Sequence, residues 1–96
     1  MKASSIDLDM GISTKVFDDT LPNASAPYSI KQVNGGYQLT HESRSIDITL
    51  EEMPPRIIAG LTLPITHVEL GFSGHTEEEI EEYMLRFKRY FHRGGG

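Results

Sequence analysis

Thr76 to Arg93, TEEEIEEYMLRFKRYFHR, carries more agreeing structural signals than any other segment of the chain. At roughly 100° per residue, Ile80, Tyr83, Met84, Phe87, Tyr90 and Phe91 fall in a sector about 120° wide, the face an amphipathic helix lays on a core. Thr76 and Glu79 have the capping-box spacing, in which the hydroxyl accepts from the third helical amide and the carboxylate reaches back to the cap amide. Glu77, Glu78, Glu79, Glu81 and Glu82 fill the first half and Arg86, Lys88, Arg89, His92 and Arg93 the second, so both ends complement the helix dipole. Glu82 and Arg86 have the favourable i,i+4 orientation. Leu85 lies about 140° round from Ile80, on the polar face. Gly94, Gly95 and Gly96 are expected to stop the helix and form a flexible tail.

A helix with one apolar stripe needs a surface to cover, and the preceding residues supply strands. In Leu63 to Phe72, LPITHVELGF, Thr66, Val68, Leu70 and Phe72 alternate with His67 and Glu69, the period of a half-buried strand. Ser73-Gly74-His75 is then the turn into the helix. Further upstream, Asn34-Gly35 is a two-residue hairpin signal of type I′. It sets Val33 opposite Gly36, Gln32 opposite Tyr37 and Ile30 opposite Leu39, so apolar residues meet across the ladder. A second reversal at Glu42 to Ser45 leads into Ser45 to Leu50, SIDITL, which completes a three-stranded meander. Ser5 to Ser13, SIDLDMGIS, alternates in the same way, with Ile6, Leu8, Met10 and Ile12 on one side.

Two segments read differently. Asp18 to Pro27, DDTLPNASAP, is rich in turn formers and is expected to be a loop. In EEMPPRIIAGL, Pro54 and Pro55 suit only a first helical turn, which predicts a short helix over about Pro55 to Ala59, ended by Gly60. The expected fold class is therefore α+β. An antiparallel meander of four or five strands is covered on one face by the long C-terminal helix, with one short helical turn beside it. Residues 1–93 form a single domain in this reading, with 1–4 flexible and 94–96 a glycine tail.

With 96 residues the chain buries roughly 60–65% of its unfolded surface, a modest core. It has no cysteine, which excludes disulfides, thiolate metal sites and a thiol nucleophile, and accords with a cytoplasmic setting. No apolar run is long enough to cross a bilayer and the first residues lack the core of a secretory signal, so no membrane association is expected. The net charge of −5 opposes nonspecific binding to nucleic acid.

Candidate chemistry is sparse. His67 and Glu69 share a strand face and His75 follows a turn, so these three could converge on a metal, but the spacing matches no zinc motif and solvent-facing side chains are the simpler reading. Asp7 and Asp9 form a DxD pair that alternation explains as the wet side of a strand. Ser73 beside His75 lacks the spacing of a nucleophile elbow. No phosphate-binding glycine loop is present, because Gly35 and Gly36 are taken by the hairpin. The RFKRYFHR segment interleaves basic and aromatic residues, yet helical phase puts its rings on the core stripe.

No cofactor, metal or catalytic group is assigned on this basis. The function expected is a small non-enzymatic protein-binding or regulatory module, an inhibitor or adaptor. It would act through the polar helix face, Glu78, Glu81, Glu82, Leu85, Arg86, Arg89 and Arg93, and through the Asp18 to Pro27 loop. A protein partner is expected, a homodimer through this face being one form, since acidic and basic halves about Leu85 are self-complementary about a two-fold axis. The contrasting readings are a structural subunit pairing through its N-terminal strand and nucleic-acid binding through the basic half-helix.

Overall fold

The structure, a computed structural model, describes residues 4–95, with side chains as far as Phe91. Its elements run β1 (Ser4–Met10), α1 (Thr14–Ser25), β2 (Ser29–Val33), β3 (Gly36–His41), β4 (Arg44–Ile58), β5 (Leu61–Ser73) and α2 (Glu77–Gly95). The strands form one antiparallel sheet in the order β1-β5-β4-β3-β2. β2 to β5 are the expected meander, and β1 adds to the free side of β5. α2 runs on to Gly95 instead of ending at Arg93. The expected flexibility of Met1–Ala3 and Gly96 falls outside the described residues, whereas Ser4 already pairs with Phe72.

Both helices lie on one face of the sheet. Leu39, Ile46, Ile48, Val68, Leu70 and Phe72 point into it and meet Phe17, Leu21 and Ala24 of α1 and Tyr83, Met84, Phe87 and Phe91 of α2, all buried. Ile80 and Tyr90 flank this core, so the stripe read from α2 is the buried one. The capping box is also as expected, with the Thr76 amide donating to Glu79 Oε1 at 2.8 Å and the Glu79 amide to Thr76 Oγ1 at 3.1 Å.

The Asp18 to Pro27 loop is corrected: it is most of α1. Ser13 caps that helix, its Oγ accepting from the Val16 amide at 3.2 Å. Phe17, Leu21, Ala24 and Ser25 then bury one face, at helical spacing. Its job is topological. β1 and β2 occupy opposite edges of the sheet, and crossing four inter-strand gaps takes about 19 Å. A 12-residue helix spans about 18 Å. Pro22 lies inside this helix on its exposed side, away from the buried face.

The short helix near Pro55 is corrected as well. β4 continues through Pro54 and Pro55 to Ile58, where it pairs with Leu61 across a tight turn. The two prolines stand opposite Pro64 at a register shift between Met53 and Arg56, a bulge that absorbs one residue without an amide donor. Ala59 and Gly60 both take positive φ, 51° and 81°, the pattern of a type I′ turn. The Asn34-Gly35 reversal keeps the expected register but not that turn type, since only Gly35 has positive φ, at 83°.

Gly36 follows that turn, and a Cβ there would overlap the Ile48 carbonyl. Gly36→Ala is expected to lower unfolding free energy by about 2 kcal/mol or more, because backbone on β4 must move, while Gly11→Ala, in open space, changes it by less than about 0.5 kcal/mol. Urea midpoints of the two variants test the pair.

Candidate functional site

The polar face of α2 is exposed as its periodicity implied, with Leu85 67% accessible. Leu85, Met84, Glu81 and Lys88 border a shallow recess of about 250 Å³. Some of the face is committed to the fold. Arg86 Nη2 donates to the Asn23 carbonyl at 3.2 Å and its guanidinium lies 5.2 Å from the Tyr90 ring, tying α2 to the end of α1. The expected Glu82–Arg86 pair is consequently not among the ion pairs of the described residues. Glu78, Glu81, Glu82, Lys88 and Arg89 remain exposed. The side chain of Arg93 lies outside the described residues.

The three candidate metal ligands do not converge. His67 Nδ1 donates to Asp9 Oδ1 at 2.6 Å on the open face of the sheet. This hydrogen bond, with the nearby carboxylates of Asp7 and Glu51, raises the His67 pKa above the usual imidazole value. Glu69 shares that face and stands opposite Asp7. His75 instead joins the aromatic cluster on the helix side. Its ring lies nearly parallel to Tyr28, at 6.1 Å and 11°, and meets Phe72 edge-on at 5.2 Å. Among the described residues no group of three His, Asp or Glu side chains could hold an ion.

Both nitrogens of His75 are already used. Nδ1 donates to the Ser73 carbonyl at 3.0 Å and Nε2 accepts from the Tyr28 hydroxyl at 2.8 Å. No imidazole nitrogen is left to activate the Ser73 hydroxyl. Burial, with Arg44 close by, lowers the His75 pKa. Arg44 bridges this corner, its Nη1 3.3 Å from Glu79 and its guanidinium 5.9 Å from the Tyr28 ring. The neighbouring helix contact is a buried hydrogen bond of 2.8 Å between Ser25 and Tyr83, whose hydroxyl is pushed up to about 12 by burial. These groups hold the two helices on the sheet. Phe87 and Phe91 are buried and Tyr90 is overlaid by Arg86, so none presents a free ring to a nucleobase.

A cleft of about 400 Å³ opens between the start of α1 and the β2–β3 turn, lined by Thr14, Lys15, Asp18, Gln32, Tyr37 and Leu50 among others. Three of its lining polar side chains are engaged. Tyr37 donates to Asp18 Oδ1 at 2.8 Å, and Lys15 pairs with Asp19 at 3.2 Å. Burial and the Asp18 carboxylate push the Tyr37 hydroxyl up to about 12, so it stays a donor at neutral pH.

The feature that sequence reasoning missed is the β4–β5 arm. β3 pairs with β4 only as far as Thr49, and β1 with β5 only from Thr66 onward, so the hairpin between projects beyond both neighbours. Residues 51–64 are all exposed, and the molecule is 46 Å long against 26 and 21 Å across. Met53, Ile57, Ile58, Leu61 and Leu63 are 38–71% accessible there. The available signal was the near-symmetry of RIIAGLTL about Ala59-Gly60, weak because Ala is an uncommon residue at positive φ.

Among the described residues no helix is long and apolar enough to cross a membrane. No family model, no curated protein and no solved structure matches the chain.

The two histidines are expected to titrate on opposite sides of about 6.5. His67, raised, stabilises the fold at low pH and loses that contribution as pH rises through its folded pKa. His75, lowered, stabilises above its unfolded pKa and loses the contribution as pH falls through the folded one. A two-dimensional NMR titration of the imidazoles checks this, with Asp9→Asn bringing His67 down towards about 6.5 and leaving His75 in place.

Proposed function

We propose that this chain is a non-enzymatic protein-binding module of the adaptor type, docking through the β4–β5 arm, with the α2 face around Leu85 as a second contact surface. The observation that carries the reading is the arm's uncovered apolar side chains. An isolated hairpin is marginal in water, and one this apolar exposes surface that the core never covers. Full burial of an aliphatic side chain contributes about 1.5–3 kcal/mol. Scaled by the exposure of Met53, Ile57, Ile58, Leu61 and Leu63, covering the arm yields roughly 4–8 kcal/mol before the costs of association.

A non-enzymatic role is supported by the engagement of His75 and His67 in structural hydrogen bonds and by the Tyr37–Asp18 hydrogen bond in the α1 cleft. The polar face of α2 looks away from the sheet, on the opposite side of the molecule from the open sheet face, which suits a part that joins two others. A cytoplasmic setting belongs to the same reading and rests on the cysteine-free composition. Assembly through β1 is less favoured. That strand is an edge, but Asp7 and Asp9 charge it, a device that discourages edge pairing.

Replacing Ile57 and Leu61 together by Ser is expected to cut recovery of the native partner in affinity capture by about tenfold or more, with the unfolding free energy unchanged within about 0.5 kcal/mol. Full recovery by that variant would remove the arm from the function. Leu85→Ser, run in parallel, tests the helix face separately.

A further inference from the structure

We infer that the arm's partner is a cationic amphipathic segment of another protein, its apolar side chains on the open face of the arm and its Lys or Arg side chains over the base of the same face. This rests on the arm-docking reading above and specifies what docks.

The argument begins with which side chains share a face. Partners across an antiparallel ladder point the same way, so Met53 with Ile65, Arg56 with Leu63 and Ile58 with Leu61 form three rungs on one side. That side is the one carrying His67 and Glu69, opposite the helices. The bulge at Pro54 and Pro55 makes this possible. The extra residue shifts the alternation by one, so Ile58 falls on the same face as Met53 and leaves Ile57 on the other. The distal part of the open face is therefore apolar, with Arg56 its only charge.

Towards the sheet the same face changes character. Glu51 stands opposite His67, and His67 opposite Asp9; Glu69 stands opposite Asp7, and Asp47 opposite Gly71. Of these carboxylates only Asp9 has an ion-pair partner among the described residues, and that partner is His67. Asp7 and Glu69 face each other as like charges, an arrangement that destabilises a sheet pair.

Apolar rungs followed by uncompensated carboxylates define the complement: an apolar segment ending or edged in Lys or Arg. β5 from Leu61 to Glu69 covers roughly 26 Å, the reach of about eight extended residues or five helical turns. Binding by strand addition is opposed, since Pro54, Pro55 and Pro64 offer no amide donor along the arm's edges. A second copy stacked on this face would bring carboxylates towards carboxylates with Arg56 as the only basic side chain on the arm. An anionic bilayer would be repelled.

The test titrates the full-length chain, by NMR, with two synthetic amphipathic peptides, one of leucine and lysine and one of leucine and glutamate. The leucine–lysine peptide is expected to bind saturably, shifting Met53, Ile58, Leu61, Leu63 and Glu69, with affinity about tenfold or more above its counterpart and falling with added salt. Ile58→Ser with Leu63→Ser should weaken it by about tenfold or more, and Asp7→Asn with Glu69→Gln should abolish most of the preference for lysine. Equal binding of the two peptides, or no binding of either, overturns the cationic partner while leaving arm docking to the capture experiment. Lysine-peptide binding that the Ile58, Leu63 variant leaves intact overturns both. A dimer in sedimentation that Ile58→Ser dissolves assigns the face to a second copy and overturns the inference.

Discussion

The structure depends on the packing around Phe17. Its ring stacks on Phe91 at 4.9 Å and on Tyr37 at 5.9 Å, and lies 6.1 Å from Phe87, so one fully buried side chain joins α1, α2 and the sheet. Aromatic contacts of this kind add to the gain from area alone. In a domain of this size they matter more than in a large one, because few side chains are wholly excluded from water. Around that point the remaining joints are polar and satisfied. Ser25 bonds to Tyr83, Arg86 to the Asn23 carbonyl, and Thr66 Oγ1 donates to the Ile12 carbonyl at 2.8 Å. No buried side-chain nitrogen or oxygen among the described residues lacks a partner.

What the sequence made legible, and what it concealed, follows from how many independent signals coincide. α2 has a cap, a stripe and a charge gradient that agree. The β2–β3 register follows because a two-residue loop and the apolar alternation allow only one pairing. α1 was hidden because Asp18, Asp19, Asn23 and Pro22 are turn formers, while its buried face rests on only two large side chains, Phe17 and Leu21. The arm was hidden for the opposite reason. Pro55 followed by Ile, Ile, Ala and Gly imitates a helix start and stop, and only the pairing of Ile58 with Leu61 decides for a strand. Of the surface, the exposure of Leu85 was readable, but the engagement of Arg86 was not, since its acceptor is a backbone carbonyl of a helix distant in sequence.

Core and arm are consequently separate inventories of residues. The side chains that close the core come from β3, α1, α2 and the proximal parts of β4 and β5, and none lies between Glu51 and Ile65. The arm's large apolar residues are instead exposed to solvent. The open face divides in the same way, with carboxylates over the supported sheet and aliphatic side chains where the hairpin runs free.

The prolines at the arm's root have a mechanical consequence. Pro54 and Pro55 on one strand and Pro64 on the other remove rungs from the same short length of ladder, so the hairpin is most compliant where it leaves the sheet. A load applied at the tip is taken up there, before it reaches the strands that carry the core. The arm therefore joins the sheet through its most weakly paired length, and the packing beneath the helices lies wholly on the far side of it.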